Sequence, residues 1–268
     1  MTHNDCLFHY CSTASFHAIV ESNSIRLSSL SLSNDSMEGK LVGQTIGKSI
    51  APGQGGPNDL LRQVVEMEKG NDALGFCLSQ WDDRLSQWRG YADDGAGLCI
   101  GFSKPYLKKL TAELKPDGFG DLRLEEIDYD PASHERLVKP AIDQFAKVLG
   151  AEGVNNYARL RDHERARIGP VMDLSQKLFL LKSEAFKEEG EWRLLSTFNP
   201  QLPFKGKFHP KGNRLVPFME IKLKIDEHVI EQIVLGPKHV TPENVVKRFL
   251  ETSGFPNVKV SRSAATYR

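Results

Sequence analysis

The sequence carries no excess of charge: Lys plus Arg and Asp plus Glu both number 35 over its 268 residues. That removes the bulk field that would draw nucleic acid or an anionic membrane, and leaves only a local basic groove as an electrostatic route to either. Cysteine is scarce. Cys6, Cys11, Cys77 and Cys99 lie in or beside apolar, strand-like runs and form no C-x-x-C pair, which argues against a disulfide framework or a zinc site and for buried free thiols. There is no apolar run long enough to span a bilayer, and the polar opening Met1-Thr2-His3-Asn4-Asp5 has no basic region ahead of an apolar stretch, so a cytoplasmic location is expected. Neither G-x-G-x-x-G nor G-x-x-x-x-G-K-[ST] occurs, which sets aside Rossmann and P-loop nucleotide binding. The absence of G-x-S-x-G and H-E-x-x-H does the same for the nucleophile elbow and the zincin helix.

What is present is ordinary globular composition, with 40% apolar and 26% charged residues, and one domain over residues 1–268 is the expectation. Leu7 to Tyr10 reads as a strand, Thr13 to Glu21 as a helix with Thr13 as N-cap, and Ile25 to Leu27 as a second strand. Ser33-Asn34-Asp35 with Glu38 has the form of a helix start, and Ala51 to Pro57, rich in glycine and proline, reads as a mobile loop. Leu60 to Lys69 has helical spacing; Ala73 to Ser79 and Gly97 to Phe102 read as buried strands. The segment Leu85 to Tyr91 falls on the connection between them. Arg123 to Tyr129 reads as a strand, and residues 131–181 have helical spacing with many charge pairs. Strands at Glu191 to Thr197, Leu215 to Ile225 and Val229 to Leu235, a helix at Pro242 to Thr252 and a strand at Val258 to Ser261 complete the chain. Strands at both ends, with helices grouped between, favour an α+β fold with a mixed or antiparallel sheet.

Three segments carry polar side chains suited to ligand binding. At the first strand-to-helix junction His9, Tyr10 and Ser12 offer an imidazole, a phenol and a hydroxyl, against the plainer reading of a histidine satisfied by backbone. Ser86-Gln87-Trp88-Arg89-Gly90-Tyr91 places a guanidinium, able to fork onto phosphate, beside two aromatic stacking faces; the alternative is an aromatic plug with Arg89 paired to Asp82, Asp83 or Asp93. In Lys187 to Arg193, strand alternation puts Glu191 and Arg193 on one face, which either lines a cleft or meets solvent.

These segments resemble the bacterial domain of unknown function 2971: Leu7-Phe8-His9-Tyr10-Cys11-Ser12, Ile25 to Ser28 and Asn34-Asp35 look like its opening block. Phe76 to Ser79, Leu85 to Tyr91, Gly97 to Phe102, Phe186 with Glu189, Glu191, Trp192 and Arg193, Pro217 to Ile221, Ile233 to Lys238 and the Ser261 to Arg268 ending are similar to its later blocks. A second resemblance is to ADP-ribosyltransferases, whose sheet carries a histidine on its first strand, an aromatic on a middle element and a glutamate entering a late strand; His9, Tyr91 and Glu191 occur in that order. That resemblance implies a split sheet with a helical insert at about 131–181 and NAD, as substrate, bound across the split. His9 would hydrogen-bond a ribose, Tyr91 would stack on nicotinamide, Arg89 would hold the pyrophosphate, and Glu191 would accept from the ribose 2′-hydroxyl as the glycosidic bond breaks. Tyr10, Ser12, Ser86, Trp88 and Arg193 would complete the cofactor contacts. The acceptor would be a protein, a nucleic acid or water, in a toxin or phage-defence setting. The competing classes are a non-catalytic module that binds a nucleotide or a partner, and a metal-dependent hydrolase using Asp35, Glu38 and His9.

Overall fold

The computed structural model describes residues 5–33, 37, 39–51, 55–149, 168–198 and 203–267. Its framework is one mixed ten-stranded sheet: β1 (Cys6–Cys11), β2 (Ser24–Ser29), β3 (Ala73–Ser79), β4 (Leu98–Ser103), β5 (Arg123–Glu126), β6 (Glu191–Thr197), β7 (Lys207–Lys211), β8 (Arg214–Lys222), β9 (Ile230–Leu235) and β10 (Lys259–Arg262). The strand order is β10-β9-β4-β1-β3-β2-β8-β7, with β6 on the other edge of β3 and β5 beyond it. Neighbours are antiparallel except β9 and β10, so the α+β class with an open sheet of mixed orientation is what the chain adopts.

The sheet divides at β3. One edge of that strand is fully paired with β6, from Ala73↔Thr197 to Ser79↔Glu191. Its other edge is shared: β2 takes its first half at Ser28↔Gly75 and Ser29↔Leu74, and β1 meets it only at Phe8↔Ser79. Between those two contacts β1 and β2 part. Glycine makes the shared edge workable, because a Cβ at Gly75 would stand 2.7 Å from the side chain of Leu30.

Alternation sorts the side chains. Leu74, Phe76 and Leu78 of β3, Leu194 of β6, Ile25 and Leu27 of β2, and Leu7 and Cys11 of β1 join the main core under α1 (Thr13–Ser22). The opposite face carries Cys77 and Ser79, and their cross-strand partners Arg193 and Glu191. A second apolar cluster, including Val42, Ile46, Leu60, Val64, Val138, Phe145 and Leu174, joins α2 (Leu41–Ser49), α3 (Gly55–Gly70), α6 (Pro131–Leu149) and the helical residues 168–175, here α7. Of these, α6 and α7 are the described part of the helical insert expected at about 131–181; α2 and α3 precede β3, and residues 150–167 lie outside the described set.

Several local expectations need correction. Leu85–Tyr91 lies on the connection between β3 and β4 as expected, but as a helix, α4, with Trp88 fully buried in it. The supposed loop at 51–57 ends early, because α3 begins at Gly55 and Pro57 sits in its first turn, where a missing N–H costs nothing. Ser12, not Thr13, caps α1, accepting from Ser15 N at 3.1 Å. Helix α5 (Lys104–Glu113) and strand β7 were not foreseen, and the strand expected to reach Ile225 stops at Lys222. The helix start at Asn34, Asp35 and Glu38 falls outside the described residues. The described residues include no helix long and apolar enough to cross a membrane.

Candidate functional site

A cleft of about 590 Å³ opens where β1 and β2 part. His9 and Tyr10 of β1, Arg26 and Ser28 of β2, Cys77 and Ser79 of β3, Gln87 and Tyr91 of α4, and Lys182, Glu189, Glu191 and Arg193 all line it. Residues separated by most of the chain's length therefore share one space, with apolar walls including Phe8, Phe76 and Leu78, of the size small-molecule sites have.

Its centre is a buried charge network. Arg193, 1% exposed, donates to Glu191 from Nε (2.6 Å) and Nη2 (3.0 Å), and from Nη1 to the Phe179 carbonyl (2.8 Å). Lys182 Nζ donates to Glu191 Oε2 at 3.0 Å and to Glu189 Oε2 at 2.5 Å. Burial alone would raise the Glu191 carboxyl, but Arg193 and Lys182 outweigh it and hold the group at about 2. Lys182 is likewise desolvated, yet Glu191 and Glu189 push its pKa up. Arg193 and Lys182 thus face Glu191 and Glu189, cation against carboxylate. The fork geometry is what alternation predicts for residues two apart on a strand, and the pair lines the cleft instead of meeting solvent.

Glu189 is the carboxylate that sequence reasoning did not single out. Tyr91 Oη donates to its Oε1 at 2.9 Å, so Glu189 joins the network to α4. Its position is fixed by backbone: the Glu189 carbonyl accepts from Ser79 Oγ (2.7 Å), and Gly190, in the left-handed region at φ +49, offers its own carbonyl to Gln80 N (2.9 Å). A Cβ on Gly190 would stand 2.6 Å from Gln80 and 2.8 Å from Trp81 Nε1. The signal for Glu189 was the glycine between two glutamates at the mouth of a strand. Gly190→Ala combines a strained φ with two close contacts, so a loss of about 1–3 kcal/mol is expected on urea unfolding; a change under about 0.5 kcal/mol would show that the junction is looser than described.

His9 reaches the cleft differently. It lies on the core face of β1, its ring stacked on Phe76 at 4.1 Å, with Nδ1 2.8 Å from the Cys77 carbonyl. A carbonyl only accepts, so Nδ1 carries the proton and Nε2 presents a lone pair. Burial lowers the imidazole pKa to about 4, against the opposing pull of the Cys77 carbonyl. His9 is therefore a neutral acceptor at physiological pH. Because its folded pKa is depressed below the ordinary value, the stability it contributes is present above about pH 6.5 and is lost as pH falls towards 4. Acid titration of unfolding free energy should show that loss in the wild type and a flatter curve across the same interval in His9→Gln.

The remaining expected site residues separate from this cleft. Tyr10 touches its edge but is spent on structure, donating to the Trp81 carbonyl (3.0 Å) and accepting from Arg84 N (3.0 Å). Trp88 is buried edge-on to Tyr10 at 4.8 Å and donates to Asp83 at 2.6 Å, so it plugs the core and stacks on no ligand. Ser12 is occupied as a helix cap, and neither Ser86 nor Arg89 lines the cleft; Arg89 instead lies 5.7 Å from the ring of Tyr267. Helical geometry explains the split: in α4, Gln87 and Tyr91 are four apart on one face, while Arg89 turns away. Among the described residues no group of three or more His, Cys, Asp or Glu is arranged to hold a metal ion.

Fold and site together define an α+β protein with an open mixed sheet and a charged, polar cleft at the point where that sheet splits. Residues 87–194 match the family model described as a protein of unknown function (DUF2971), a stretch that supplies Gln87, Tyr91, Lys182, Glu189, Glu191 and Arg193 to the cleft. No curated protein and no solved structure gave a match.

Proposed function

We propose that the chain binds NAD in this cleft, breaks its nicotinamide–ribose bond and transfers ADP-ribose to a macromolecule or to water. The observation that carries the reading is the convergence of His9, Tyr91 and the Glu189–Glu191 pair, from β1, α4 and the entry to β6, on one cleft at the split of the sheet. Tyr91 is 45% exposed there and offers a ring face for the nicotinamide. His9 Nε2 accepts from a ribose hydroxyl. As the glycosidic bond lengthens, positive charge grows on the ribose, and carboxylates fixed in the cleft stabilise it. In this reading Glu189 faces the reacting sugar, because it is the less buried of the two carboxylates and takes one hydrogen bond on each oxygen, from Tyr91 and Lys182, whereas Glu191 takes Arg193 on both oxygens and Lys182 as well. Lys182, shared with Glu191, and Tyr91 hold Glu189 in place.

The saturation of Glu191 by Arg193 and Lys182 also favours a second reading, a non-catalytic module whose ion network shapes the cleft for a nucleotide. Nicotinamide release from NAD by the purified protein, with and without cell lysate as acceptor source, separates the two when run beside calorimetric NAD binding. Binding with release supports the enzyme; binding without release in either condition selects the module.

A further inference from the structure

Beyond the cleft, strand alternation assembles a basic wall in a chain that is neutral overall. Cross-strand partners in an antiparallel pair point to one side. The registers Ser24↔Lys222, Arg26↔Glu220 and Ser28↔Phe218, with Lys207↔Phe218, His209↔Val216 and Lys211↔Arg214, therefore place Arg26, Lys207, Lys211, Arg214 and Lys222 on the same face of β2, β8 and β7. That is the face of the cleft, whose lining includes Arg26, His209 and Lys211. Against five cations this face has one carboxylate, Glu220, and it is shared between Lys207 (3.3 Å) and Lys222 (3.5 Å). Arg26 sits directly opposite Glu220 in register but lies instead over the ring of Phe218, at 4.8 Å. Among the described residues Arg26, Lys211 and Arg214 make no ion pair, and all three are exposed.

We propose that this wall binds the phosphate backbone of single-stranded nucleic acid and leads it into the cleft, which makes a nucleic acid the macromolecular acceptor. The basic row is too long for a dinucleotide. Arg214 and Lys222 are eight residues apart on β8, about 27 Å at strand rise, whereas NAD has only two phosphates. A membrane surface is a poor match, since the apolar residues of this face, Val216 and Phe218, are buried, and exposed Phe208 and Leu215 alternate to the other side. The hydroxyl of Ser28 and the imidazole of His209 add groups of the kind that accompany cations in phosphate contacts. The cleft end supplies an exposed aromatic face, Tyr91; outside the lining, Trp81 adds a ring with Arg84 over it at 4.5 Å. A charged track ending on aromatic platforms is the arrangement that holds single strands without reading their sequence.

Binding to this wall stands apart from the NAD reading; only the word acceptor rests on it. The test is fluorescence anisotropy of labelled 20-nucleotide DNA and RNA across a salt series. The full chain is compared with the triple variant Arg26→Gln/Lys211→Gln/Arg214→Gln, and Lys108→Gln on α5 serves as a control. We expect salt-sensitive binding by the wild type and Lys108→Gln, affinity weakened by about tenfold or more in the triple variant, and a log–log salt slope shallower by about 2, from three lost contacts at roughly 0.7 each. Exposed positions are chosen so that the melting temperature stays within a few degrees. No binding at low salt, binding that the triple variant leaves unchanged, or displacement by polyglutamate as readily as by unlabelled oligonucleotide overturns the proposal. Retention on phosphatidylserine vesicles without oligonucleotide binding does so as well. Oligonucleotide binding without nicotinamide release would keep this wall and sink the NAD reading; release without oligonucleotide binding would do the reverse.

Discussion

Arg193→Ala should be the most damaging single substitution in the sheet, lowering stability by about 3–5 kcal/mol and the melting temperature by on the order of 10 °C. The reason is asymmetry. Arg193 is buried at 1% exposure, bridges β6 to the Phe179 carbonyl beside the helical insert, and holds Glu191 by two hydrogen bonds. Removing it leaves Glu191 inside with only Lys182 and Cys77 as partners, and leaves the Phe179 carbonyl without its donor. Breaking a buried pair costs far more than the pair contributes, because the surviving charge keeps its desolvation penalty. The sign with pH follows. Glu191 is held at about 2, below the ordinary carboxylate value, so its contribution is fully present above about pH 4.5 and fades as pH falls towards 2. Calorimetric melting of wild type and variant from pH 7 to pH 3 should therefore show the gap between them narrowing in acid. A gap that is small at neutral pH, or that widens in acid, would mean the network is not the clamp its geometry describes. A double replacement of Glu191 and Arg193 by leucine should cost more than a conservative core exchange, because Lys182 would remain buried with Glu189 alone.

How much of this was legible beforehand depended on the length of the physical signal. Strands β1, β3, β4 and β9 are short apolar runs bounded by turn residues, and they read out almost to the residue. Helix α4 was missed as a helix because Leu85 to Tyr91 spans under two turns, too few for periodicity, and ends in a glycine and an aromatic. Its site residues could not be sorted without that geometry: the helix turns Gln87 and Tyr91, four apart, to the cleft, buries Trp88 in the core and points Arg89 towards Tyr267. Strand β7, with two lysines, a histidine and a proline, has the composition of an edge strand and gives no apolar alternation to find. The pairing of Glu191 with Arg193 was readable from their spacing. The arrival of Lys182 and Glu189 was not, since it depends on the chain crossing from the insert through the Asp128↔Leu181 bridge. The basic wall is the opposite case: each cation is visible in sequence, but only the register of β2, β8 and β7 puts all five on one side.

Glu189→Gln is expected to divide chemistry from structure more sharply than any other exchange at the cleft. Glutamine keeps the size of the side chain and an oxygen that can accept from Tyr91, but removes the charge that would meet a cationic ribose. If NAD is cleaved here, nicotinamide release should fall by on the order of a hundredfold or more, the scale of about 2.7–4 kcal/mol for a lost transition-state interaction, while NAD binding changes little. Glu191→Gln should behave differently. It strips the carboxylate from between Arg193 and Lys182, so release should fall together with stability, and the melting temperature should report the damage. In Glu189→Gln the melting temperature should stay near that of the wild type, because Lys182 retains Glu191. The pair of variants thus assigns the two glutamates. A catalytic loss confined to Glu191→Gln, with its fold intact, would return the role to Glu191 and show that Arg193 gives up its fork when substrate enters. Equal loss of binding and turnover in Glu189→Gln would instead make Glu189 a binding group, since only an interaction that strengthens as the bond breaks lowers turnover alone.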